Sequence, residues 1–147
     1  MKAFFRTTGS FSYLFARVAL GVVMLPHGSQ KVLGLFGGQG YEKTLEAFTR
    51  MGFLPILVIA LMVSEFLGSI FLIAGFMTRL WALAIGISMA TCAYLNHFKN
   101  GFFMNWFGAQ QGEGFEFHIL VVGLALCLVV GGGGAFSLDK KIAGGKK

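Results

Sequence analysis

The chain has 147 residues, 56% of them hydrophobic and only 12% charged, with a formal net charge of +6. Soluble globular domains carry about 25% charged residues, so this composition excludes an ordinary soluble domain and predicts an integral membrane protein. The two cysteines, Cys92 and Cys127, form no C-x-x-C pair. Helical rise places them on the order of 10 Å apart in depth, too far for a disulfide, and both read as small apolar core residues.

Four apolar runs are long enough to cross about 30 Å of hydrocarbon. They cover residues 11–30, 55–75, 80–97 and 115–133. Together they predict an all-α bundle of four transmembrane helices forming a single membrane domain over residues 1–147, because helices satisfy their own backbone polar groups where no water can. The first run carries Arg17, Pro26 and His27. It lacks a small-x-small cleavage site, so it is expected to stay in the membrane. Pro26 should kink this helix. A glycine-rich turn follows at 33–40, and residues 41–51 read as a short external helix lying on the membrane surface, with Tyr41, Leu45, Phe48 and Met51 on one face. The second and third runs are joined by a few residues around Met77–Arg79, which makes them antiparallel neighbours. The loop at 98–114 contains Phe102, Phe103, Trp106 and Phe107. It reads as an interfacial aromatic belt or as a lid, with Trp106 its candidate ligand contact. Gly131–Gly134 closes the fourth run and lacks the lysine and hydroxyl residue of a phosphate loop.

With four spans both termini share one side. Lys2, Arg6, Arg79, Lys140, Lys141, Lys146 and Lys147 lie there, whereas Lys31, Lys43, Arg50 and Lys99 lie opposite. The positive-inside rule places the richer side, with both termini, in the cytoplasm. The same distribution explains the net charge without nucleic-acid binding.

Charged groups within hydrocarbon cost about 2.5–3.5 kcal/mol or more on insertion scales, and they usually face the bundle interior and mark a site. Glu65 sits near the centre of the second run and Arg17 within the first, so the two are expected to pair, either as a clamp between helices or as the wall of a catalytic pocket. Arg17, Met24, His27 and Lys31 form one stripe on the first helix, with Gly21 and Gly28 beside it to admit a neighbouring helix closely. His27, Lys31, Arg17 and Glu65 are therefore the candidate ligand-binding residues. His27, His97 and His118 fall at one level near the outer interface. Their spacing carries no metal signature, and neither metal nor haem is expected; were an ion bound, these three imidazoles would be its ligands. No framed nucleophile is present. The expected arrangement is a cavity in the outer half of the membrane, floored by Arg17–Glu65 and roofed by one of the external segments.

Arg17 with Gly21, His27-Gly28 with Lys31, Glu65-x-x-Gly68, Ala74-Gly75-Phe76-x-Thr78-Arg79 and Gly132-x-Gly134-x-Phe136-Ser137-x-Asp139 together resemble the DoxX family. That resemblance implies a small four-helix protein of the bacterial inner membrane, associated with respiratory or redox systems that include quinone-linked ones. The leading expectation is a quinone-linked redox protein or the membrane subunit of a redox complex, with no covalently bound cofactor. Its partners would be the lipid bilayer and a redox protein or a second copy of the chain. A carrier for a small solute or metal ion, or an accessory assembly subunit, is the alternative.

Overall fold

The computed structural model describes residues 4–144; Lys2, Lys146 and Lys147 of the charge count lie outside the described residues. Among the described residues six α-helices succeed one another: α1 Phe11–Leu33, α2 Gly40–Arg50, α3 Pro55–Ala74, α4 Thr78–Cys92, α5 Glu116–Gly131 and α6 Leu138–Ile142. No strand occurs among the described residues. Helix α4 runs on as a π-helical turn, Ala93–His97, and a 3₁₀ turn, Phe98–Asn100. Three helical segments, Phe11–Leu33, Pro55–Ala74 and Thr78–Asn100, are long and apolar enough to cross a membrane. Helix α5 is equally apolar but has 16 residues, about 24 Å of rise, and is shorter than the run at 115–133 suggests.

The four long helices pack in the ring order α1–α3–α4–α5, and α2 lies across the far ends of α1 and α3. Leu20, Met24, Leu72, Ala82, Ile85, Met89, Val121, Ala125 and Leu128 form the buried core. Large apolar side chains such as Phe15, Val22, Ile56, Ile87, Leu120 and Val130 are exposed on the outside. Apolar residues both inside and outside are what a bundle needs when its surrounding solvent is lipid. The helical membrane bundle read from the sequence is therefore the fold observed.

Local sequence sets the helix ends. The Ser10 hydroxyl accepts from the Ser12 amide to open α1. Pro26 lies inside α1 without ending it; the helix continues to a left-handed cap at Gly34. Pro55 occupies the first turn of α3, where its missing N–H is no loss. Gly75 ends α3 with φ of 70°, and a side chain there would meet Ser137 and the Arg17 guanidinium as well as backbone strain.

Arg17 does not pair with Glu65. Its guanidinium is buried at the opposite end of the bundle, where Nε donates to Gly133 O at 2.8 Å, Nη1 to Leu72 O at 3.0 Å and to Ile73 O, and Nη2 to Ala135 O and Phe136 O at 3.2 Å each. The last carbonyls of a helix lack intrahelical donors, and Arg17 reaches those of α3 together with the carbonyls that follow α5. Beside it the buried Asp139 carboxylate accepts from the Met77 and Thr78 amides, at 2.7 and 2.8 Å, and caps the start of α4. These contacts tie the end of the bundle that carries the termini.

Helix α1 crosses α3 backbone to backbone at Gly28. A Cβ on Gly28 would lie 2.5 Å from the Glu65 carbonyl carbon, in backbone that cannot yield. Gly123, by contrast, meets nothing. Gly28→Ala should lower stability in detergent by about 1–3 kcal/mol, while Gly123→Ala leaves it unchanged or slightly raised; thermal unfolding of the two variants compares them.

Candidate functional site

The close approach at Gly28 brings α1's Lys31 over α3's Glu65. Lys31 Nζ lies 2.6 Å from Glu65 Oε2 and also donates to His27 O at 3.4 Å. The Glu65 side chain is only 5% exposed. An isolated carboxylate there would be prohibitive, and the ammonium of Lys31 supplies the compensating charge. The residue that partners Glu65 is thus on the same stripe of α1 as Arg17, but at the opposite end.

This pair borders a cavity of about 360 Å³ at the end of the bundle away from the termini. Met24, His27, Glu65, Cys92, His97 and His118 are among its walls, with Phe48, Phe53, Met104 and Glu113 from the external segments. A second cavity of about 310 Å³ adjoins it between α3 and α4, and the two share Phe48, Phe53, Leu61, Ser88 and Thr91. The lining of the second is almost wholly apolar, with Leu57, Val58, Ala84 and Ile87 added. The arrangement is a chamber with a few polar groups on an apolar wall, adjoined by a still more apolar groove.

Of the candidate residues, His27, Lys31 and Glu65 meet in the chamber. Arg17 does not, since it is held on backbone carbonyls. Trp106 does not either: it is 78% exposed and absent from the chamber walls. The aromatic loop instead presents Phe103, Trp106 and Phe107 outwards, while Phe98 and Phe102 pack on Phe115. The three histidines also divide. His97 and His118 lie with ring centroids 4.3 Å apart, whereas His27 packs on Phe117 at 6.5 Å. Cys92, read as a plain core residue, stands with His97 and His118 instead. Both cysteines are free.

Cys92, Phe48, Phe53 and Met104 are among the wall residues that sequence reasoning missed. The α2 face bearing Phe48 was legible as amphipathic, but nothing in its spacing says whether that face meets lipid or a cavity.

The fold and the chamber define a small helical membrane protein with a charged pair buried in its bundle. Residues 12–98 match the DoxX family, a span that includes Lys31, Glu65, Cys92 and His97 but not His118. The chain is also 32% identical over 128 residues to the inner membrane protein YqjF of Escherichia coli K12, covering 86% of this chain and 88% of that protein. The chain belongs to the DoxX family. No solved structure matched it.

Separate partners make the two buried charges energetically independent. Arg17→Met should cost roughly 3–5 kcal/mol by orphaning helix-end carbonyls, and its effect should add to that of Glu65→Gln within about 0.5 kcal/mol. Lys31→Met and Glu65→Gln, which touch, should couple by about 0.5–3 kcal/mol. Double-mutant cycles on detergent unfolding midpoints check both statements.

Proposed function

We propose that the protein is a quinone-binding membrane subunit of a redox system, located in the bacterial inner membrane with both termini in the cytoplasm. The observation that carries this reading is a chamber with a few polar groups on an apolar wall, adjoined by a second, more apolar cavity with which it shares wall residues. Ligand sites of about 300–1,000 Å³ with a few polar groups on an apolar wall suit drug-sized molecules, and a quinone combines a polar ring with a long apolar tail. The chamber accommodates the ring, and the groove between α3 and α4 gives the tail a path to lipid.

Within that reading Lys31 holds a ring carbonyl oxygen by a hydrogen bond, and His27 borders the same oxygen or its opposite number. The Glu65 carboxylate keeps Lys31 in position, and the pair relays to the ring the protons that reduction requires, taken up from water at the outer surface. Reduction of a quinone takes up two electrons and two protons. The electrons come from a partner redox protein, because the sequence carries no flavin, haem or iron–sulfur motif. The family membership and the inner-membrane location named for YqjF support the setting.

The orientation rests on the excess of lysine and arginine at the end bearing the termini. A cysteine placed at Gly144, in a Cys92→Ser, Cys127→Ser background, should react with a membrane-impermeant maleimide only after the cells are opened. Labelling in intact spheroplasts would reverse the orientation.

Titration of the purified protein with a quinone of short isoprenoid tail, followed by native mass spectrometry, tests the ligand. Saturable one-to-one binding is expected, weakened at least about tenfold by Lys31→Gln, the loss of a charge-assisted hydrogen bond worth about 1.5–3 kcal/mol. Ser88→Leu should weaken long-tailed quinones more than tailless ones. Equal binding by all variants, or capture of a solute in place of quinone, would replace this reading with a carrier function.

A further inference from the structure

The chamber wall opposite Lys31–Glu65 carries a cluster of different chemistry. Cys92 closes α4, His97 ends the π-helical turn, and His118 stands in the first turns of α5. One ligand atom from each lies within 4.8 Å of the others. In an unbroken α-helix, residues five apart point roughly 140° from one another. The π turn, whose bonds join residues five apart, stacks His97 over Cys92 and so places thiol and imidazole on one face. This local irregularity is what assembles the pair.

A second observation points to an occupant. His118 is only 5% exposed, and its Nδ1 has no hydrogen-bond partner among the described residues. A buried ring nitrogen left without a partner costs about 1–3 kcal/mol. Its neighbour is the His97 imidazole, with which that nitrogen makes no hydrogen bond. His97, in contrast, is already oriented. Its Nδ1 lies 2.9 Å from the Glu113 carbonyl oxygen. That oxygen can only accept, so Nδ1 carries a proton, and in the neutral ring Nε2 is the nitrogen left with a lone pair for a metal. Metal-bound histidines commonly donate their other N–H to a carbonyl in this way. Asn100 donates to the same carbonyl at 3.0 Å and fixes it. The Asn96 amide approaches Cys92 Sγ at 3.8 Å.

We propose that Cys92, His97 and His118 form a binding site for a zinc-class transition-metal ion, with its fourth coordination position facing the chamber. One thiolate and two imidazoles suit a borderline-soft d¹⁰ cation. Bonds of about 2.0–2.3 Å bring tetrahedral ligand atoms roughly 3.3–3.8 Å apart, so side-chain rotation of an ångström or so closes the set. The ion supplies the partner that His118 lacks, and the thiol gives up its proton on binding. All three residues line the chamber, which leaves one side of the ion open to a small ligand. This set replaces His27 of the three-imidazole alternative by Cys92. It stands independently of the quinone reading, which rests on Lys31, Glu65 and the groove.

Chelator-stripped protein in detergent is titrated with Zn²⁺ against a chromophoric competitor, with Co²⁺ as the spectroscopic probe. One equivalent should bind, Co²⁺ should show a thiolate-to-metal charge-transfer band, and Zn²⁺ should raise the unfolding temperature. Cys92→Ser should abolish the band and weaken Zn²⁺ roughly tenfold or more, as should His97→Gln and His118→Gln, while Cys127→Ser and His27→Gln bind normally. A folded wild type without saturable Zn²⁺ binding, or binding that survives in Cys92→Ser and is lost in His27→Gln, would overturn the site. Lys31→Gln separates the two proposals: it should retain Zn²⁺ whatever its quinone affinity.

Discussion

Hydrocarbon does not tolerate an unpartnered charge, and this bundle buries three side chains that carry one: Arg17, Glu65 and Asp139. Two of them are answered by helix ends. Arg17 takes carbonyls that α3 and the segment after α5 leave free, and Asp139 takes the first amides of α4. Charges complementary to the helix dipoles are favourable at such ends, and backbone partners do not move. Glu65 is answered differently, by a flexible lysine from a neighbouring helix. That pair can be opened or shared by a ligand at much lower cost than the knot at the other end.

The two ends of the molecule therefore differ in kind. The knot joins residues that are far apart in sequence, and it includes Gly75, Thr78, Ser137 and Asp139. Most of the short motifs by which the chain resembles the DoxX family fall there. They secure the architecture of the bundle, which is why the resemblance speaks more clearly about fold than about reaction. The titratable side chains Lys31, Glu65, His27, His97, His118 and Cys92 gather at the opposite end, where α2 and the aromatic loop leave a space that the core does not fill.

Much of this was legible from the sequence, and the misses have identifiable causes. Apolar runs of about 20 residues announced the helices, and the tight turn at Met77–Arg79 announced the α3–α4 neighbours. The stripe on α1 named Lys31, His27 and Arg17 together, and Glu65 declared itself by its cost. The partner of Glu65 did not follow, because Arg17 and Lys31 share that stripe and either can be drawn towards α3. Gly28 packs directly on the Glu65 backbone, and Arg17 lies eleven residues further along α1, about 16 Å of rise. Arg17 is thus level with the end of α3, where unsatisfied carbonyls are at hand and the Glu65 carboxylate is out of reach. Cys92 escaped notice because an α-helical period sends it away from His97, and a single π turn is not written in any residue pattern. Trp106 was overvalued because an aromatic loop looks alike whether it covers a cavity or faces the membrane interface.

The central claim is that Lys31–Glu65, and not Arg17, forms the charged floor of a ligand chamber. An experimental structure of the protein saturated with a short-tailed quinone tests it most directly. Ring density is expected within hydrogen-bonding distance of Lys31 Nζ, with the tail between α3 and α4 and Arg17 still bound to the carbonyls of Leu72 and Gly133. A ring bound beside Arg17, or an Arg17–Glu65 ion pair with Lys31 turned out to solvent, would contradict it.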